Sequence, residues 1–250
     1  MRTFWIAFGV GAHALFGLTV CRLVPFLHGI GRGLLSDRLA GVPWFVADAF
    51  LAVQFAVFHS ALLLPQSRQR LKSLIPAPQY GCFFCAVTCL SLLLTIELWQ
   101  PTGAAIYRLT GTAGTAMNVA FALAWAALLY SLWLSGLGYQ TGWTPWWAWL
   151  RGRPVQRGWP EPRGAYRWLR HPVYLSFLGL VWLTPSMTLD RALLTAVWTV
   201  YIFVGSWLKD RRLLHYVGEP YRRYQERVAG YPFIPFGPLG RVAAKTRRVA

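Results

Sequence analysis

Negative charge is the scarcest feature of this sequence. Its 250 residues hold 8 Asp and Glu against 25 Lys and Arg, and charged residues of both signs reach only 13%. A soluble domain spends about a quarter of its residues on charge, so an ordinary water-exposed surface is excluded. Cysteine is also sparse, with 4 in the chain, and nothing in their placement suggests a disulfide framework. Cys82, Cys85 and Cys89 share one face of a helix. That spacing suits a soft metal, but a fourth ligand has no evident source, so they read as small thiols packed between helices and no metal is expected. No segment alternates apolar and polar residues over ten positions, which excludes a membrane barrel.

What is abundant is apolar sequence, 56% of the chain, and it comes in long blocks. Trp5–Phe26, Val42–Leu64, Tyr80–Trp99, Thr115–Leu137 and Arg191–Leu208 are each long enough, or nearly so, for a hydrocarbon core that needs about 20 residues of helix. Pro172–Met187 is a shorter sixth. Bare peptide groups cannot be hydrated in a bilayer, so the spans must be helices. The expectation is an all-α polytopic bundle of about six membrane helices, read as one domain over 1–250, with a four-helix half (1–137) and a second half (138–250). The first block is too long for a secretory signal, carries His13 and lacks a small-residue cleavage site, so it reads as the first membrane helix.

A net charge of +17 invites a nucleic-acid reading, which the distribution rejects. Basic residues gather at Arg2, Arg68–Lys72, Arg151–Arg170 and Lys209–Arg248. The alternate loops hold only Arg32, Arg38, Arg108 and Arg191. This asymmetry is the positive-inside signature and places both termini in the cytoplasm after six crossings. Anionic membrane lipid is the partner it implies. No nucleic-acid partner is expected, and no feature sets an oligomeric state.

Few polar groups stand at membrane depth: Asp48, Gln54, His59 and Glu97. Asp48 and Glu97 lie near predicted helix ends, where they reach water. His59 is deeper, and either faces a polar cavity or bonds a neighbouring helix. Tyr139–Leu150 concentrates Trp143, Trp146, Trp147 and Trp149 around Pro145, as expected of a segment lying along the membrane interface.

The most informative stretch is Ala165–Tyr174, which ends Arg170-His171-Pro172-Val173-Tyr174. A residue before proline is pushed out of helical geometry, and proline suits the first helical position. The fifth membrane helix therefore starts at Pro172, with unpaired N–H groups and the positive helix end beside Arg170 and His171, a natural anion site. It is short. Either its start is sunk below the membrane surface, or the fifth and sixth helices form a hairpin that stops partway. Beyond the sixth helix, Lys209–Val228 predicts a polar cytoplasmic helix broken at Gly218. Its Tyr216, Tyr221 and Tyr224 offer aromatic faces to a cationic or planar ligand.

On Arg170-His171-Pro172-x-Tyr174, the charged run after the last membrane helix, and Gly218-x-x-Tyr221-x-x-Tyr224, the chain resembles the isoprenylcysteine carboxyl methyltransferase and phospholipid methyltransferase superfamily. Phe58-His59-Ser60, Trp99-Gln100-Pro101 and Trp182–Thr188 make it most similar to the methanethiol S-methyltransferase and NnrU-like group. The resemblance spans about Ala52 to Pro235. It implies S-adenosylmethionine as cofactor, with Tyr166, Arg170, His171, Pro172, Val173, Tyr174, Lys209, Asp210 and Tyr221 as the cofactor-binding set. Lys209 and Asp210 occupy the places of a glutamate pair. Lysine reverses the charge at the first place, leaving Asp210 to compensate from a shorter side chain. The glycine-rich loop of soluble methyltransferases is absent, and Gly9-Val10-Gly11 reads as close helix packing. Arg170, His171 and the helix start would hold the cofactor's carboxylate. The acceptor implied is a small apolar thiol or a lipid-like molecule reached through the membrane, with His59 the one candidate for a catalytic base. The alternative is a non-catalytic relative that kept the fold and lost the cofactor.

Overall fold

The computed structural model describes residues 1–155 and 161–243; the last part of the basic C-terminal run and part of the Arg151–Arg170 loop lie outside them. Five helices are long and apolar enough to cross a membrane. They are α1 (Arg2–His28), α2 (Trp44–Leu63), α4 (Tyr80–Leu98), α5 (Gly111–Ser135) and α9 (Leu189–Val217). Shorter helices are α3 (Pro65–Arg70), α6 (Leu137–Gln140), α7 (Trp143–Leu150), α8 (Pro172–Trp182) and α10 (Glu219–Arg227). Two strands, β1 (Ala105–Arg108) and β2 (Ser186–Thr188), pair antiparallel. The protein is an all-α polytopic membrane bundle.

The long helices are apolar around their whole circumference. Phe4, Val57, Phe58, Leu123, Trp133 and Val200 stand exposed on the outside, where only lipid would not penalise them. Inward, α1 packs on α4, α4 on α2, α2 on α9, α9 on α8 and α8 on α5. Leu27, Leu51, Ile96, Leu128, Leu180 and Trp198, one from each of these six helices or its adjoining turn, meet in the buried core.

The short fifth membrane helix has a specific resolution. α8 has 11 residues, about 16 Å at 1.5 Å per residue, against a hydrocarbon core of about 30 Å. Past Trp182 the chain turns at Leu183 and enters β2, whose register with β1 pairs Thr188 with Ala105 and Ser186 with Arg108. The N–H of Leu109 donates to Pro185 O at 2.8 Å, and the Thr184 hydroxyl donates to Ser186 O at 3.1 Å. Backbone that leaves the helix is thus hydrogen-bonded within the chain, which meets the need for paired peptide groups near the membrane. α9 returns as the other arm of the hairpin and, at 29 residues, overshoots the bilayer.

Two expectations change. Asp48 does not reach water, whereas Glu97 stays partly exposed at its helix end. Asp48 is fully buried and accepts the Gln100 N–H at 3.0 Å. Glu97 accepts Arg22 Nε at 2.6 Å and Nη2 at 2.8 Å, and the Leu34 N–H at 2.8 Å. The reason is that the α1–α2 and α4–α5 connections fold back over the helix ends. The tryptophan segment divides in two. Trp143 is exposed, whereas Trp146 is buried and donates its indole N–H to Trp5 O at 3.1 Å. Its ring lies against Gly9, so close packing holds for Gly9, while Gly11 meets open space. Cys82, Cys85 and Cys89 are buried in the bundle.

Candidate functional site

Proline at the first position of α8 and His171 as its N-cap bring the Arg-His-Pro stretch level with the end of α9. There Asp210 is the hub. Its Oδ2 accepts Arg170 Nη2 at 2.7 Å, Arg170 Nε at 3.2 Å and His171 Nε2 at 3.2 Å. Its Oδ1 accepts the Tyr221 hydroxyl. Arg170 is fully buried, and its remaining N–H groups donate to the carbonyls of Val228 (2.6 Å), Gly240 (2.7 Å), Pro238 (3.1 Å) and Gln225 (3.4 Å). The backbone repeats the clasp: Arg170 N–H donates to Ala229 O at 2.9 Å and His171 N–H to Gly230 O at 3.3 Å. Gly230 is glycine because a Cβ there would strike the Leu239 carbonyl and the His171 ring.

This cluster is a structural staple. All five guanidinium donors of Arg170 are used, so Arg170 has none left for a cofactor carboxylate, and both Asp210 oxygens are already engaged by the cluster. The expected part of Arg170 in holding a carboxylate changes for a physical reason: the C-terminal segment folds onto the motif and its carbonyls claim the arginine. Tyr221 and Tyr224 change likewise. They are buried, with Tyr224 donating to Tyr166 O at 2.6 Å, and they lock α10 onto the site without offering open faces. Burial pushes both hydroxyls above the ordinary phenol value, and it holds the His171 imidazole below its own despite Asp210 alongside. Tyr216 is exposed.

Open valence remains one layer inward. Lys209, half-buried, holds its Nζ 5.4 Å from the Tyr174 ring centre and 5.9 Å from that of Tyr166. No hydrogen bond or ion pair to this ammonium occurs among the described residues. Tyr174, in the first turn of α8, reaches Gly205 O at 3.5 Å; Tyr166 reaches Ser131 O of α5 at 3.5 Å. Val173 and Tyr174 supply the two first-turn N–H groups that a helix starting at Pro172 leaves without an intrahelical acceptor. Pro172 itself is buried. The structure therefore gathers Tyr166, Val173, Tyr174 and Lys209, with Arg170, His171, Asp210 and Tyr221 behind them as their support.

Sequence reasoning missed Tyr201 and Gly205. The Tyr201 hydroxyl lies 2.6 Å from His59 Nδ1, joining α9 to α2. Tyr201, Gly205 and Lys209 recur at i, i+4 and i+8, which puts them on one helix face. That period, read back from Lys209, is the signal that would have found them.

A polytopic helix bundle with an aromatic pair around a cation, set at the start of a half-length membrane helix, is the class this geometry defines. No protein-family model matches the chain, and no solved structure matches it. Curated proteins do. A methanethiol S-methyltransferase from a Pseudomonas species is 29% identical over 231 residues, covering 89% of this chain and 87% of its own. Methanethiol S-methyltransferase 1 of Bradyrhizobium diazoefficiens is 30% identical over 239 residues, covering 89% and 79%. The methanethiol S-methyltransferase of Crocosphaera subtropica is 27% identical over 239 residues, covering 94% and 93%. The chain belongs to this family of membrane methyltransferases.

Proposed function

We propose that the chain transfers the methyl group of S-adenosylmethionine to a small apolar thiol. The observation that carries the reading is the Tyr166–Lys209–Tyr174 arrangement. Two tyrosine faces already hold a cation, as a sulfonium site requires. The Lys209 ammonium and the Val173 and Tyr174 N–H groups are donors for a carboxylate. The residues fit the cofactor in a way the Lys209 substitution alone did not suggest: the lysine serves the carboxylate and leaves the rings to the sulfonium. When bound, the cofactor supplies an electrophilic methyl group. The protein's share is to align donor and acceptor and exclude water, with the Arg170–Asp210 staple keeping the C-terminal segment closed over the site.

The names of the relatives point to methanethiol as the acceptor to try first, and a site walled by membrane helices suits a small apolar molecule. The basic loops support a cytoplasmic position for this end of the bundle, and we assign the chain to a bacterial inner membrane with both termini inside. The test uses methyl-deuterated S-adenosylmethionine with detergent-purified protein and either methanethiol or a membrane lipid extract. Labelled dimethyl sulfide in the headspace is the expected result. Label in lipid alone would reassign the acceptor. Label in neither, from folded protein, would favour the non-catalytic relative, in which Lys209 fills the aromatic pair permanently.

A further inference from the structure

His59 and Tyr201 stand one helical turn inward of Tyr174, outside the cofactor site just described. The imidazole lies among rings, with Phe84 of α4 at 5.2 Å and Phe55 of its own helix at 5.9 Å. Its Nδ1 is engaged by the Tyr201 hydroxyl at 2.6 Å, while Nε2 has no hydrogen-bond partner among the described residues. The titratable and charged groups facing it are Tyr201 and Arg212 from α9; α4 presents only the Phe84 ring. Gly205 separates this pair from the cofactor site. A Cβ there would lie 3.4 Å from Tyr174 Cε1 and 4.0 Å from Tyr201 Cε2, so glycine keeps open the space between the two tyrosines. Tyr201 borders that space with its ring and meets His59 through its hydroxyl.

A thiol needs such a neighbour. With a pKa of about 8.5 or above, only a few per cent is thiolate at pH 7, and an apolar approach lowers that fraction further. We propose that His59 is the proton acceptor for the thiol, with Tyr201 as its positioning residue. The inference rests on the thiol reading of the proposed function. The Tyr201 oxygen accepts the Nδ1–H, which fixes the ring and its tautomer and leaves the Nε2 lone pair free for the thiol proton. The thiol sulfur attacks the methyl carbon as its S–H proton passes to Nε2. The carbon–sulfonium bond breaks with its electron pair remaining on the departing sulfur. One thioether, S-adenosylhomocysteine and one proton result, and the proton leaves His59 for cytoplasmic water.

The test is single-turnover methyl transfer to methanethiol between pH 6.5 and 9.5, with calorimetric binding of S-adenosylhomocysteine alongside. His59→Ala should lose about 100-fold at pH 7, recover steadily toward high pH as thiolate forms unaided, and respond to added imidazole, while binding S-adenosylhomocysteine as wild type does. Tyr201→Phe keeps the ring packing and should lose about tenfold. In protein labelled with nitrogen-15 histidine and loaded with S-adenosylhomocysteine, the His59 signal should shift on adding methanethiol and stay still on adding dimethyl sulfide. A His59→Ala rate near wild type at pH 7, or a loss equal at every pH and insensitive to imidazole, overturns the proposal. Should His59→Ala not fold, a wild-type rate in Tyr201→Phe together with an unmoved His59 signal overturns it. Wild-type protein that fails to bind S-adenosylhomocysteine sinks the cofactor reading itself, a result distinct from intact binding with a silent His59.

Discussion

α9 carries a buried aspartate near each end, and the two do similar work at opposite faces of the membrane. Asp190 and Asp210 are about 20 residues apart, about 30 Å of helix, which matches the hydrocarbon core. Asp190 accepts the Trp99 indole N–H at 3.0 Å, the Thr102 N–H at 3.1 Å and the Thr102 hydroxyl at 2.8 Å. It thereby pins the α4–α5 connection beside the β1–β2 pair. Asp210 pins the C-terminal segment through Arg170, His171 and Tyr221. Both carboxylates have each oxygen hydrogen-bonded, as buried charges need. Groups with valence to spare, Lys209 and His59 Nε2, lie between them, nearer the Asp210 end. The two engaged carboxylates act as support, and the unengaged ammonium and imidazole nitrogen stand where the proposed chemistry would occur.

The sharpest way to break this contrast is at Arg170. Arg170→Met strands Asp210 and the carbonyls of Val228 and Gly240, so the variant should lose about 3–5 kcal/mol. Thermal unfolding in detergent, with proteolysis at the released C-terminal segment, reads that loss. Asp190→Ala should cost less, about 2–3 kcal/mol, because it strands neutral donors, and it should leave S-adenosylhomocysteine affinity unchanged. A binding defect there would erase the distinction between the two ends.

Substitutions at the open groups should do the reverse. Lys209→Met should weaken S-adenosylhomocysteine binding about tenfold with little change in melting temperature, since it removes one charge-assisted partner of the carboxylate. Should Lys209→Glu instead tighten binding, the carboxylate is held elsewhere and the lysine is only a resident cation. The smallest effect belongs to His171. Burial depresses its folded-state pKa, so its unfolded form binds protons first. Stability should be flat from pH 8 to about 7 and fall as pH drops below about 6.5. His171→Asn should flatten that acid limb, measured by unfolding at each pH.

The membrane helices were legible because composition and block length decide them before any tertiary contact is known. The Pro172 helix start was legible for a local reason, the geometry proline imposes on itself and on His171. Roles were harder to read. Arg170 looked like a ligand for an anion because nothing in the sequence shows that the carbonyls of Val228, Pro238 and Gly240 close around it. Asp48 looked solvated because loops that fold back leave no periodic signal. Lys209 looked like a charge in the wrong place, and only the positions of Tyr166 and Tyr174 show it held between two rings.

The central claim is that Tyr166, Tyr174 and Lys209 form the cofactor site, and titration calorimetry of S-adenosylhomocysteine into the detergent-purified chain and its Tyr174→Leu variant tests it most directly. Micromolar binding to the wild-type chain, lost in a variant that melts at the same temperature, is the predicted result. No binding heat from folded wild-type protein at millimolar ligand, or equal binding by the variant, would contradict it.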